Sequence, residues 1–484
     1  MISTCIILLN YRASCANTPL SLDLYRQAMK PEFASEVEGL TTANRYRIQA
    51  TLKVDADVNI SGVETVDYTN RSTDMLSDIE YRLYPNIPGY GGTMTIDSAS
   101  VNTVPAHPQL SDQNTVLALA LDPPLKPGES VAMTLAFRLH IPAGSNASFG
   151  RFGYQKGIIS GAGWYPTLSV YTSKTGWWKD VNTYLNISDP AYSEIGFYDV
   201  DLVMPSNLVM TMSGTRIGAD ARDDHTTDYH YVTGPMRDHC FMASSRYKVT
   251  TVEQDGTQIH ILSYNDSQDG DDDAVRIAKA ALHTFTTTFG AYPYRDYSVV
   301  ENPTDGGVEY PGVVQVGDQY WHTGNTFFEI VVAHETGHQW FYALVGNDQV
   351  EHPWIDESLT SYLEIVYLRS VYGDSDRVHT YIEGIQKRYK AYLASGSPDY
   401  VLNLPVSDYR TPVAYVLVIY TKGPLFLLEL EREFGESTVY AGLKVYFEHE
   451  KYQVAHSSDI KAAFESASRH DLTALFNKWV GAVD

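Results

Sequence analysis

"VVAHETGHQW", residues 331–340, sets His334 and His338 four positions apart, with Glu335 directly after the first histidine. On a helix, residues i and i+4 share a face, so both imidazoles can turn toward one point. Glu335 projects about a third of a turn away, within reach of a water held there but not of the same point. Two ligands do not hold a metal, however. The pentad alone leaves open an ordinary amphipathic helix whose histidines are hydrogen-bonded in a core.

The next stretch, "EHPWIDESLTSYLEIVYL" (351–368), narrows the choice. Glu357 follows His338 after eighteen intervening residues and stands at the head of a second amphipathic pattern. Trp354 and Ile355 are apolar anchors for that entry, and Asp356 or Ser358 is suited to cap it. A carboxylate placed there can fold back onto the two histidines. His334, His338 and Glu357 with a fourth position open are the donor set of a catalytic zinc rather than a structural one. Glu364 is the rival third ligand, set further back because it lies two turns into the helix.

Outward from this core the chain changes character. From about residue 46 to 247, short alternating runs such as "RYRIQATLKVDADV" and "SVAMTLAFRLHIP" are broken by Asn, Gly, Pro and Asp, the pattern of half-buried antiparallel strands. After the acidic run "SYNDSQDGDDD", which suits a helix N-terminus better than a calcium loop, the period turns helical up to Gly290, a plausible C-cap. Helical patterns then dominate at 327–345, 358–372, 378–393, 421–434 and 457–468. The expected organisation is multidomain, β then α+β: a leader or linker over 1–40, a β-rich domain over 41–248, and a mostly α-helical catalytic domain over 249–484.

Composition limits the partners. The 484 residues include 35 basic and 59 acidic side chains, a net charge of −24, which disfavours nucleic acid and anionic lipid. The three cysteines, Cys5, Cys15 and Cys240, have no CxxC spacing, and Cys240 in "DHCFMASSRYKV" reads as a buried, inert thiol. No stretch outside the N-terminus reads as a membrane span. The N-terminal "MISTCIILLNYRASCANTP" fits loosely a lipoprotein signal ending at Cys15, so an exported or cell-envelope location is expected, with the cytoplasm as the alternative.

With these residues in place, the sequence resembles the M1 family of zinc aminopeptidases, the gluzincins that include leukotriene A4 hydrolase. The family reads W-[ILM]-[ND]-E-G around its third ligand, and Ser358 here replaces the glycine. "GGVEYP" (306–311) resembles the family's exopeptidase signature, and "IYTKG" (419–423) its Y-x-K-G. The resemblance covers about residues 45 to 484. It implies an antiparallel β-saddle followed by a thermolysin-like catalytic domain, and one zinc ion per chain on His334, His338 and Glu357. It further implies Glu335 as general acid–base, Tyr420 as oxyanion donor (Tyr415 is its neighbour and rival), and Glu309 as the group that binds a free α-ammonium. Gly306 and Gly307 would let a peptide approach the "GGVEY" edge closely.

Two departures stand out. The acidic segment that usually carries a second amine-binding Gln or Glu is missing. Trp164-Tyr165-Pro166 occupies the corresponding region, with Gln155 as a weak substitute. The chain also stops where larger relatives add a helical C-terminal domain, so a more open cleft is expected. The resemblance thus implies release of N-terminal residues from peptides. Cleavage of internal or modified bonds is the enzymatic alternative, epoxide hydrolysis a remote one, and an inactive peptide-binding scaffold the alternative of another class.

Overall fold

The computed structural model describes residues 22–179, 187–188 and 190–483. The leader reading at Cys5 and Cys15 lies outside them. Residues 22–40, expected as leader or linker, are instead folded. Tyr25 stacks on Phe197 with ring centroids 4.7 Å apart, and Glu36 accepts from Lys451 at 2.8 Å and from the Tyr452 hydroxyl at 2.6 Å.

The β half is built on an eight-stranded sheet with two four-stranded sheets beside it. Alternation drives it. Along Ser130–Ile141, Val131, Met133, Leu135, Phe137, Leu139 and Ile141 all point into the core. Pairing departs from the all-antiparallel expectation where Asn44–Val54 runs parallel to Gly196–Pro205 in a register from Asn44 opposite Gly196 to Thr51 opposite Val203. Strands of all three sheets lie between these two in sequence and make the long connection that parallel pairing requires.

The second half opens with a five-stranded sheet in the order Lys248–Gln254, Thr257–Ser263, Asp296–Asn302, Val313–Gly317, Gly307–Tyr310. Helix α1 (Gln268–Thr288) makes the crossover between the two parallel strands Thr257–Ser263 and Asp296–Asn302. Ser267 caps its N-terminus, Asp269 and Asp271 lie in its first turn, and Gly290 follows its end with φ 151°. Eight further helices follow: α2 (Thr326–Gly337), α3 (Trp354–Tyr372), α4 (Asp376–Ala394), α5 (Pro412–Leu417), α6 (Gly423–Phe434), α7 (Glu436–Glu450), α8 (Ser457–Ser468) and α9 (Thr473–Trp479).

Several boundaries differ from the sequence expectation. The pattern at 327–345 stops being helical after Gly337, because Gln339 turns away to bond Tyr310 O (3.0 Å) and the Gly312 amide (2.8 Å) on the neighbouring strand. Helix α3 begins four residues early, at Trp354; Pro353 occupies its N-cap, and neither Asp356 nor Ser358 caps it. Helices α5, α7 and α9 were not singled out in the sequence. The stretch Pro412–Phe434 is long and apolar enough to cross a membrane by length and composition alone. Its apolar residues, among them Ile419, Phe426 and Leu430, are buried in the core of the helical half.

Two features join the halves. Ile158, Ala162, Cys240 and Met242 of the β half pack with Leu262, Val300, Val308 and Val313 of the second half. Burial raises the Cys240 thiol well above its ordinary pKa, as expected of an inert cysteine. Arg237 then reaches across: its guanidinium donates to Tyr342 O (2.8 Å), Ser193 O (3.1 Å), Leu344 O (3.3 Å) and Gln453 O. Gly346 makes room for it, since a Cβ there would overlap the guanidinium. Burial draws the Arg237 pKa down to about 10, which leaves it charged at neutral pH. Arg237→Met should strand these carbonyls and lower stability by about 3 kcal/mol or more in a urea titration. A loss below about 0.5 kcal/mol, the scale of an ordinary surface change, would count against this clamp.

Candidate metal centre and active site

The two histidines sit at the C-terminal end of α2, and the carboxylate that meets them sits in the first turn of α3. His338 is the C-cap residue but keeps helical backbone angles (φ −61°, ψ −14°), so its i+4 relation to His334 survives the end of the helix. His334 Nε2 lies 3.2 Å from Glu357 Oε2, His338 Nε2 lies 3.3 Å from the same oxygen, and the two Nε2 atoms are 3.1 Å apart. Bonds of about 2.0–2.1 Å to one tetrahedral zinc would space such donors ~3.3 Å apart. The three atoms form a ready-made face for a divalent cation.

The other ring nitrogens explain why Nε2 points inward. His334 Nδ1 is bonded to Glu364 Oε1 at 2.8 Å, and His338 Nδ1 to Phe341 O at 3.0 Å, with Thr360 Oγ1 at 3.3 Å. With Nδ1–H engaged, both Nε2 atoms present lone pairs to a carboxylate. Three acceptors facing one another in a buried site require a positive charge between them. Glu364, the rival ligand, is therefore an orienting partner on the far side of His334, and it accepts in turn from the Tyr381 hydroxyl.

The electrostatics say the same. Burial works against charge on His334, but its bonds to Glu357 and Glu364 outweigh it and hold its pKa at about 10. Burial likewise opposes charge on His338, and the carboxylates of Glu309 and Glu357 raise it well above the ordinary value. Glu357 is driven the other way: burial disfavours its charge, and the two histidines overcome this and hold it far below the carboxylate range. Asp356 beside it is pushed up by burial and by the Glu357 charge.

Tyr420 comes from an irregular segment. Between α5 and α6 the chain makes a π-helical turn over Val418–Lys422, which swings the Tyr420 hydroxyl to 2.6 Å from Glu357 Oε1 and its ring over His334. Three contacts hold this turn. Ser358 Oγ donates to Ile419 O at 2.8 Å, Lys422 Nζ donates to Asp399 at 2.6 Å, and Gly423 packs so tightly on Ser358 that a Cβ would collide. Ser358, the departure from the family glycine, is thus accommodated by Gly423 and used. Tyr415, the rival tyrosine, is fully buried against Tyr409 and the Tyr420 ring.

Glu309 lies on Gly307–Tyr310, the edge strand of the five-stranded sheet, beside α2. Gly306 has φ 92°, and a Cβ on Gly307 would overlap the Glu335 carboxylate, so Gly307 is spare because it touches Glu335. Glu309 opens onto a small cavity of ≈ 40 Å³ between the halves, shared with Tyr310, Asp238, Tyr342, Arg151 and Gln349. Gln349 Nε2 donates to Glu309 Oε1 at 2.8 Å and to Asp356 Oδ2 at 2.7 Å, and Asn347 donates to Asp356 Oδ1 at 2.9 Å. Gln155 is not brought here; it pairs with Ile158 in a β-half strand and does not line the cavity. Gln349 and Asn347 escaped the sequence reading. Their only signal was position, in the short connection between the two ligand-bearing helices.

Metal binding must displace protons from so basic a pair of histidines. Zinc titrated into metal-free protein at pH 7 should release on the order of one to two protons, read as buffer-dependent heats in calorimetry. The His334 pKa of about 10 lies above its ordinary 6.5, so in metal-free protein its stabilisation is full below 6.5 and disappears as pH climbs through about 10. Thermal melts across that window should show the loss without zinc and not with it. Zinc binding without proton release would contradict the charge balance described here.

Comparison with known proteins agrees with this geometry. Residues 274–479 match the profile of the peptidase family M1 domain. Over 201 residues the chain is 26% identical to aminopeptidase N of Streptomyces lividans, covering 39% of this chain and 23% of that protein. Over 281 residues it is 25% identical to aminopeptidase N of Lactobacillus helveticus, covering 52% of this chain and 32% of that protein. The chain therefore spans about a quarter to a third of the length of these relatives. Its fold matches the crystal structure of an M1 zinc metallopeptidase from Deinococcus radiodurans with a TM-score of 0.68 and 15% identity, over 92% of this chain and 95% of that one. With His334, His338 and Glu357 converged, Tyr420 bonded to Glu357 and Glu309 on the edge strand, residues 274–479 carry the profile of the peptidase family M1 domain.

Proposed function

We propose that the protein is a zinc-dependent aminopeptidase that binds one zinc ion per chain and removes the N-terminal residue of peptides with a free amino group. The observation that carries this reading is the triad of donor atoms 3.1–3.3 Å apart, with its Nδ1 partners already satisfied. Zinc held by His334, His338 and Glu357 supplies Lewis acidity toward a peptide carbonyl and toward water.

The chain's own groups do the rest. Glu335, buried beside Gly307, takes the proton of the attacking water and returns it to the departing amine. Tyr420 leaves its bond to Glu357 and donates to the oxyanion as the carbonyl becomes tetrahedral. Glu309, held by Gln349, pairs with the substrate ammonium and so sets the distance from the N-terminus to the bond that breaks. A substrate backbone can lie along the unpaired side of the edge strand Gly307–Tyr310.

Glu335→Gln should lower kcat by about 10²–10⁴-fold while zinc content stays unchanged. Tyr420→Phe should lose about 10²–10³-fold in kcat with little change in KM. On aminoacyl fluorogenic amides, Glu309→Ala should lose most activity against free-amine substrates and keep its zinc. Unchanged rates with free amines, or equal activity on N-acetylated peptides in the wild type, would favour the endopeptidase reading instead.

A further inference from the structure

One acceptor for a substrate ammonium, Glu309, is accounted for; the β half offers no second one at Trp164-Tyr165-Pro166, and Gln155 stands away from the cavity. We propose that Gln349, from the connection between α2 and α3, is the second acceptor, through its carbonyl Oε1. This rests on the aminopeptidase reading above.

The orientation of the Gln349 amide is forced. Its Nε2 lies 2.8 Å from Glu309 Oε1 and 2.7 Å from Asp356 Oδ2, and carboxylates accept, so the NH₂ end must face both of them. Oε1 then points the other way. It is buried, within a residue only 2% exposed, and no donor among the described residues reaches it. Nearly all buried carbonyls have partners, so one without a partner on the wall of a cavity is a place where a ligand supplies the donor. Gln349 lines the same cavity as Glu309.

An alkylammonium has three N–H donors and one charge. Glu309 balances the charge, and the Gln349 carbonyl takes a second N–H without adding charge. A neutral amide suits this position better than a carboxylate, which would face both Glu309 and Asp356 with like charge. The two bonds made by Nε2 also keep the amide from rotating, so the acceptor is in place before substrate arrives.

The test uses zinc-loaded full chain and two inhibitors, L-leucine hydroxamate and its des-amino counterpart, 4-methylpentanohydroxamic acid. The ratio of their Kd values in calorimetry reads ammonium recognition alone. Gln349→Met should shrink that ratio at least tenfold by weakening only the amino compound, with zinc content and the des-amino Kd unchanged. Glu309→Ala is measured alongside. A ratio that falls in Glu309→Ala but holds in Gln349→Met overturns the role of Gln349 and leaves the aminopeptidase reading standing. A ratio unmoved by either variant removes both. Equal weakening of both compounds in Gln349→Met would make the residue merely structural and also overturns the proposal. Should Gln349→Met not fold, Gln349→Asn, which withdraws the carbonyl by one methylene, is judged by the same criteria.

Discussion

Two imidazole nitrogens and a carboxylate oxygen turned toward one another inside a protein cannot stay uncompensated. Much of the second half is arranged around this demand for positive charge. Glu364 and Phe341 O hold the outer nitrogens so that the inner ones cannot turn away. Thr360 and Tyr420 close in from α3 and from the π-turn. The same demand explains why the histidines are so basic and Glu357 so acidic when protons alone supply the charge.

Rigidity is supplied from outside the ligand set. Trp354, fully buried, anchors the start of α3 through Ser457 (3.0 Å), and Lys422 ties the π-turn to Asp399. Gln339, immediately after the second histidine, fastens the end of α2 to the loop between the edge strand and its neighbour. One residue therefore links the metal site to the strand that bears Glu309. Across the cavity, Arg237 fixes the turn that follows α2, and Tyr342 within that turn takes φ 137° while its hydroxyl bonds Asp238. Such backbone is costly for a bulky side chain and persists where its surroundings over-determine it.

The sequence was most legible where chemistry demands a fixed spacing. His334, His338 and Glu357 could be paired on paper because helical geometry links i to i+4 and the second pattern supplies a carboxylate near its start. The alternating strands of the β half were legible for the same reason, a two-residue period set by burial. Legibility failed where tertiary hydrogen bonds override local preference. The helix expected through 345 ends at Gly337 because Gln339 finds partners on a strand, and α3 starts at Trp354 because burial of that indole outweighs the caps available at Asp356 or Ser358.

The amino-acid sequence by itself determined the donor types and their spacing, since these follow from short-range geometry. Only the folded chain decided what surrounds them. It assigned Glu364 to the back of His334 rather than to the metal face and turned Tyr420 onto Glu357 through a π-turn. It also brought Gln349 between Glu309 and Asp356 while leaving Gln155 aside. Those choices depend on contacts between segments far apart in sequence, and no local period or propensity encodes which side chains will meet across a packed core.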